Sequence, residues 1–124
     1  MTNVGDIARR YIELVGSHDL APLDDMISDD VVATTKSGAF GKADWIGALQ
    51  RLLPTLERND IREVVVDGSS ACVVYDFVTS TDAGAVRCAE WITVDDDGRM
   101  TAINLLFDKT NWAAVDAARQ ERAN

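Results

Sequence analysis

Apolar residues at Val4, Ile7, Ala8, Tyr11, Leu14 and Val15 recur every three or four positions. That spacing predicts a helix over residues 3–16 with one buried face, on which Tyr11 lies. Gly16 and Ser17 are expected to stop it. Leu20, Leu23, Met26 and Ile27 predict a short second helix, with Pro22 accommodated in its first turn. The β-branched run Val31 to Thr35 predicts a strand. Gly38 and Gly41 read as a loop ahead of a third helix, lined on one side by Trp45, Ala48, Leu49, Leu52 and Leu53, with Pro54 near its end.

Beyond this point the period changes. Ile61–Asp67, Ala71–Thr79, Gly84–Val94 and Arg99–Phe107 read as strands, joined by turns rich in Gly, Asp and Ser. Asp67-Gly68 and Asp95-Asp96-Asp97-Gly98 are strong hairpin signals. Asn111–Ala123 reads either as a last short helix or as a frayed tail. Helices first and an antiparallel meander afterwards make an α+β arrangement, with residues 1–124 expected to form one domain.

Strand parity assigns faces, because directly opposed residues of an antiparallel pair point the same way. A turn between Val94 and Arg99 sets Glu90 opposite Ile103 and Cys88 opposite Leu105. A turn at Asp82-Ala83 sets Phe77 opposite Cys88 and Tyr75 opposite Glu90. One face then carries Val73, Tyr75, Phe77, Cys88, Glu90, Ile92, Ile103, Leu105 and Phe107. Glu90 is its lone charge. Burial there would raise its pKa and can keep it protonated near neutral pH, as at many functional sites; alternatively, it reaches water at the sheet rim or caps a buried donor. Tyr11 divides in the same way, between core filling with one hydroxyl partner and a group aimed into the same cavity. The opposite face carries Val74, Val78, Ala89, Trp91, Ala102 and Leu106, a stripe too apolar for open solvent. A homodimer packed through Val74, Trp91 and Leu106 is expected, with Asp76, Arg87 and Asn104 as polar contacts. Trp45 and Trp112 read as core and terminal packing.

Hydrophobic residues make up 47% of the 124, enough for a sizeable core. Acidic residues outnumber basic ones 21 to 12, for a net charge of −9, which disfavours a nucleic-acid partner. No apolar run approaches the roughly 18 residues of a membrane span, and the N-terminus lacks the regions of a signal peptide, so no membrane association and a cytoplasmic location are expected. Cys72 and Cys88 match no metal spacing, point to opposite faces and are not expected to form a disulfide. The single histidine, His18, is too little for a histidine-rich metal site. Gly-rich phosphate loops and nucleophile elbows are absent from the sequence. No metal or cofactor is expected.

The helix through Arg10-Tyr11-Ile12, then Asp19-Leu20, the Asp29-Asp30 pair before a strand, and Gly98 through Leu106-Phe107 together resemble the NTF2-like (SnoaL-like) superfamily. The resemblance is to its ketosteroid isomerase branch and runs from Ile7 to Phe107. It implies a curved antiparallel sheet wrapped around N-terminal helices, with a conical cavity between them. In ketosteroid isomerases a tyrosine and a protonated acid bind the substrate oxyanion while another carboxylate moves the proton. The resemblance puts Tyr11 at the tyrosine, Glu90 at the oxyanion acid and Thr35 at the base. A threonine does not take up an α-proton near neutral pH, so steroid isomerisation itself is not implied. Polyketide cyclase-like chemistry through Glu90 is compatible with these residues. Two readings stand. One is a cofactor-free acid–base enzyme for a small, largely apolar carbonyl or polycyclic compound, with Tyr11 and Glu90 catalytic. Its cavity would be lined by Thr35, Trp45, Leu49, Tyr75, Phe77, Cys88, Ile103, Leu105 and Phe107. The other is a dimeric module that binds an apolar ligand or another protein without catalysis.

Overall fold

Asn3 starts the chain's first helix by accepting the Asp6 amide on its side-chain oxygen at 3.2 Å. In the computed structural model, which describes residues 3–123, this helix, α1, spans Val4–Gly16. The single domain expected over residues 1–124 thus includes Met1, Thr2 and Asn124, which lie outside the described residues. Val4, Ala8, Tyr11, Ile12 and Val15 form the buried face of α1, as its spacing predicts. The helix ends in a double backbone closure: Asp19 N–H donates to Leu14 O and His18 N–H to Val15 O. His18 takes the left-handed position at φ 63°. Gly16 is the last residue of the helix and Ser17 its cap, where the sequence sets the stop. A Cβ on Gly16 would stand 2.8 Å from the Asn59 backbone nitrogen, so this glycine permits close packing.

Helix α2 is a single turn, Leu23–Met26, preceded by Pro22 as its cap. Strands β1 (Ile27–Thr35) and β2 (Gly38–Phe40) form a hairpin where the sequence suggested a strand and a loop. Gly38 carries the positive φ that this hairpin requires. Helix α3, Lys42–Leu52, runs into a short 3₁₀ turn at Leu53–Thr55 that contains Pro54. Lys42 ties the start of α3 down by donating to Asp24 O and to Asp29 Oδ1. The meander follows as β3 (Leu56–Asp67), β4 (Ser70–Thr79), β5 (Ala85–Val94) and β6 (Met100–Phe107). The C-terminal segment is helical, as α4, Ala113–Ala123. No helix among the described residues is long and apolar enough to cross a membrane.

The six strands form one open, curved sheet in the order β2-β1-β6-β5-β4-β3. The meander is antiparallel, but β1 joins it parallel to β6, with Thr34 beside Asn104. Register shifts interrupt β1–β6, β3–β4 and β5–β6, and such irregularities bend a sheet. The helices pack on its concave face, so that the core lies between α1, α3 and the inward residues of β4, β5 and β6.

The observed register differs from the parity derivation by two residues in both hairpins. Glu90 opposes Leu105 and Val73, while Cys88 opposes Phe107 and Tyr75. The turn between β4 and β5 is longer than expected, closed by Thr79 N–H to Gly84 O. The pairing shifts between Thr93 and Val94, which oppose Ala102 and Met100, so that β6 carries Thr101 as the extra residue of a bulge. A slip of two preserves every face assignment, because side chains alternate with period 2. Cys72 points outward and Cys88 inward, and both are free thiols. Register also resolves the unpatterned Val64-Val65-Val66: Val65 opposes outward Cys72, whereas Val64 and Val66 oppose inward Val73 and Ala71 beneath α1.

Candidate active site

The inward faces of the sheet and helices α1, α3 and α4 enclose a cavity of about 130 Å³. Glu90, on the central strand β5, faces it and is only 2% exposed. The Tyr75 hydroxyl donates to Glu90 Oε1 at 2.7 Å. Glu90 Oε2 is buried and has no hydrogen-bond partner. Burial pushes the Glu90 carboxyl up to about 6, while the tyrosine donors hold it from rising further. The sequence expectation of a carboxyl kept protonated at neutral pH is thereby moderated. Near pH 7 the anion predominates, and the proton can be accepted or returned at little cost.

Tyr11, fully buried on α1, receives the Trp45 indole N–H on its oxygen at 3.0 Å. An indole only donates, so the Tyr11 hydroxyl keeps its own hydrogen to donate elsewhere. Tyr11 lies close enough to Glu90 for each to influence the other's ionisation, although no hydrogen bond of standard geometry joins them. Burial and then the Glu90 charge hold the Tyr11 phenol well above its ordinary value; the same causes act on Tyr75. Both phenols are therefore donors throughout the neutral range. Cys88 is pushed up to about 12 by burial and then by Glu90, so its thiol is inert near neutrality.

Of the residues expected around the cavity, Thr35, Trp45, Leu49, Tyr75, Phe77, Cys88, Leu105 and Phe107 line it together with Tyr11 and Glu90. Ile103 does not. The register sets it opposite Ile92 and beside Ala33, where it is fully buried in the core. Glu90 is the sole carboxylate among the lining residues.

Sequence reasoning did not single out Asn59, Ser37 or Arg119, which also line the cavity. Asn59 lies in the polar run Glu57-Arg58-Asn59-Asp60, ahead of the strand expected to begin at Ile61, and nothing in the pattern marks it as inward. Its Nδ2 donates to Ile12 O at 3.0 Å, which fixes the amide orientation and leaves Oδ1 buried without a partner. Arg119 comes from α4, whose structure the sequence left open, and its Nε is likewise buried without a partner. Trp112 closes this end against Phe107 and Phe77, with ring centroids 4.5 Å and 5.9 Å away. Three orphaned polar atoms, those of Glu90, Asn59 and Arg119, thus belong to residues of one largely apolar cavity. Unpartnered groups of this kind are costly in a folded protein unless a ligand or water meets them. His18 lies elsewhere, with Nε2 2.6 Å from Leu56 O. Among the described residues, no three His, Cys, Asp or Glu side chains gather as a metal site.

The SnoaL-like domain family matches residues 8–103 of the chain. No curated protein matches it significantly. Among solved structures, a protein from Kribbella flavida superposes with a TM-score of 0.80 at 24% identity, covering 94% of this chain and 96% of that one. A steroid delta-isomerase from Pseudomonas aeruginosa gives 0.78 at 17% identity, covering 99% and 93%. IdmH, a putative polyketide cyclase from Streptomyces antibioticus, gives 0.78 at 14% identity, covering 93% and 99%. At these identities the structural likeness is one of fold.

Proposed function

Because the chain belongs to the SnoaL-like family, we propose that it is a cofactor-free acid–base enzyme acting on a small, largely apolar carbonyl compound. Glu90 is the proton-transfer group and Tyr11 the donor to the developing oxyanion. The observation that carries this reading is the Glu90 carboxylate: one oxygen is held by Tyr75, and the other is buried without a partner in a residue facing the cavity. A carboxyl near pKa 6 is matched to proton transfer close to neutral pH.

Glu90 Oε2 removes a proton from the carbon next to the carbonyl, and negative charge moves onto the carbonyl oxygen. The Tyr11 hydroxyl, its oxygen fixed by Trp45, donates to that oxygen. Return of the proton from Glu90 to another carbon completes an isomerisation. Attack of the enolate on a second carbonyl of the same molecule, with the Glu90 proton passing to the new alkoxide, completes a cyclisation, where the walls supply proximity. Both outcomes share the first step. Steroid delta-isomerase and polyketide cyclase folds among the similar structures are compatible with either. A cavity of about 130 Å³ favours a one-ring body, since an engineered cavity of roughly 150 Å³ holds benzene.

Thr35 in the position where ketosteroid isomerases carry their base favours the second reading, a binding module that catalyses nothing. Phenols, as mimics of the enol oxygen, separate the two when titrated in a thermal-shift assay against wild type and Glu90→Gln. A phenol at 100 times its dissociation constant adds about 2.7 kcal/mol of stability. The enzyme reading expects a hit that weakens sharply in the variant, followed by turnover whose kcat/KM rises through about pH 6 in wild type and is abolished by Glu90→Gln. Phenol binding indifferent to the substitution, with no turnover, selects the binding module.

A further inference from the structure

The parallel pairing of β1 and β6 brings the C-terminal ends of both strands to the same end of the sheet. Two of the chain's three lysines emerge there: Lys36 directly after β1, and Lys109 two residues after β6. Both lie in chain segments that border the cavity. Lys36 lies between Thr35 and Ser37, and Lys109 between Phe107 and Trp112, all four of which line the cavity. The close approach of Lys36 lowers the Lys109 ammonium below its ordinary value, with desolvation adding to the effect. Arg119 supplies a third cation from α4. One of its terminal nitrogens pairs with Asp116, while its buried Nε has no partner. The nearby Asp108 carboxylate accepts from the amide and hydroxyl of Thr110. Three cations against two carboxylates leave this rim positive on a chain of net charge −9.

Neighbouring like charges destabilise each other, and an anion placed between them relieves that repulsion. Resting on the reading of Glu90 given above, we propose that the rim is an anion subsite. The ligand is then a small cyclic carboxylic acid, with its ring beside Phe77 and Leu105, its carboxylate on Lys36, Lys109 and Arg119, its carbonyl oxygen at Tyr11 and the carbon next to that carbonyl at Glu90. The body of the ligand and its charge are recognised by different parts of the cavity. Apolar walls select the ring, and the rim selects a substrate that remains ionised at neutral pH.

The test uses 4-hydroxybenzoate, 4-hydroxyphenylacetate and 3-(4-hydroxyphenyl)propionate, each titrated calorimetrically against its primary amide so that only the charge differs. The expected result is at least one acid bound roughly tenfold more tightly than its amide, a preference that shrinks with added salt as exposed charges are screened. Lys36→Ala with Lys109→Ala should reduce that preference while leaving amide affinity unchanged, and Arg119→Gln should reduce it separately. The lysines are exposed, so their replacement does not threaten the fold. Acids bound no better than amides, or not bound at all, overturn the subsite. If phenols still depend on Glu90 in that case, the acid–base reading survives and only the subsite falls. A charge preference retained alongside Glu90-independent binding has the opposite meaning.

Discussion

Glu90 couples the chemistry of the site to the stability of the protein. Its carboxyl is raised from 4.5 to about 6 on folding, so the folded state holds the proton more tightly than the unfolded chain. Stability from this group is present below the unfolded value and is lost as pH rises through about 6. At roughly 1.4 kcal/mol per pKa unit, the loss is on the order of 2 kcal/mol. Glu90→Gln carries no charge at any pH, so it should gain about that much relative to wild type between about pH 4.5 and about pH 7.5. Urea titrations of both proteins across that range check it, and a constant difference would count against a buried, titrating Glu90. Asp76 contributes with the opposite sign: Arg62 first, and then Arg87, hold its carboxyl below the ordinary value, and its contribution is lost as pH falls. Both proteins share Asp76, so it cancels in the comparison. Glu90 was legible in the sequence because one charge stands on an otherwise apolar strand face. Asn59 and Arg119 were not, since each sits in a polar run whose local pattern reads as solvent-facing.

Helix α1 and strand β3 meet at their closest where Gly16 faces the backbone of Asn59. The glycine allows this approach, and the approach in turn brings the Asn59 amide to Ile12 O. Gly16→Ala should push α1 away from β3 and destabilise the protein by about 1–3 kcal/mol, the usual cost of overpacking. Helix propensity alone would favour alanine there by roughly 1 kcal/mol. Chemical denaturation therefore decides between the two on the sign of the change. A stabilised variant would show that the contact is not tight. The same residue illustrates what local pattern conveys about elements. Glycine followed by serine correctly marks where the helix finishes, while the space that requires the glycine is defined by a strand more than forty residues away. The hairpins behave similarly. Their turns were recognisable, but turn length and the β6 bulge displaced the register by two, moving Ile103 out of the cavity and Leu105 opposite Glu90.

Across the whole molecule, the convex side of the sheet leaves Trp91 56% exposed and Leu106 69% exposed, with Val32 and Val65 also uncovered. Patches of this kind mark interfaces, so the homodimer expected through Val74, Trp91 and Leu106 has a concrete outcome. Sedimentation should give twice the chain mass for wild type and the monomer for Trp91→Glu combined with Leu106→Glu. A wild-type monomer at all accessible concentrations would remove the dimer. The residue pattern alone was enough for the α+β class, the order of helices before the meander, both faces of β4, β5 and β6, and Tyr11 and Glu90 as inward polar groups. These follow from side-chain periodicity, which is local and survives a two-residue error in register. Packing in three dimensions was needed to set β1 parallel to β6, to bring Tyr75 to Glu90 and Trp45 to Tyr11, and to bring Lys36 near Lys109 and Arg119 into the cavity wall. Those relations join segments far apart in the chain. They are set by how bulged strands and docked helices fill space, which no local pattern encodes.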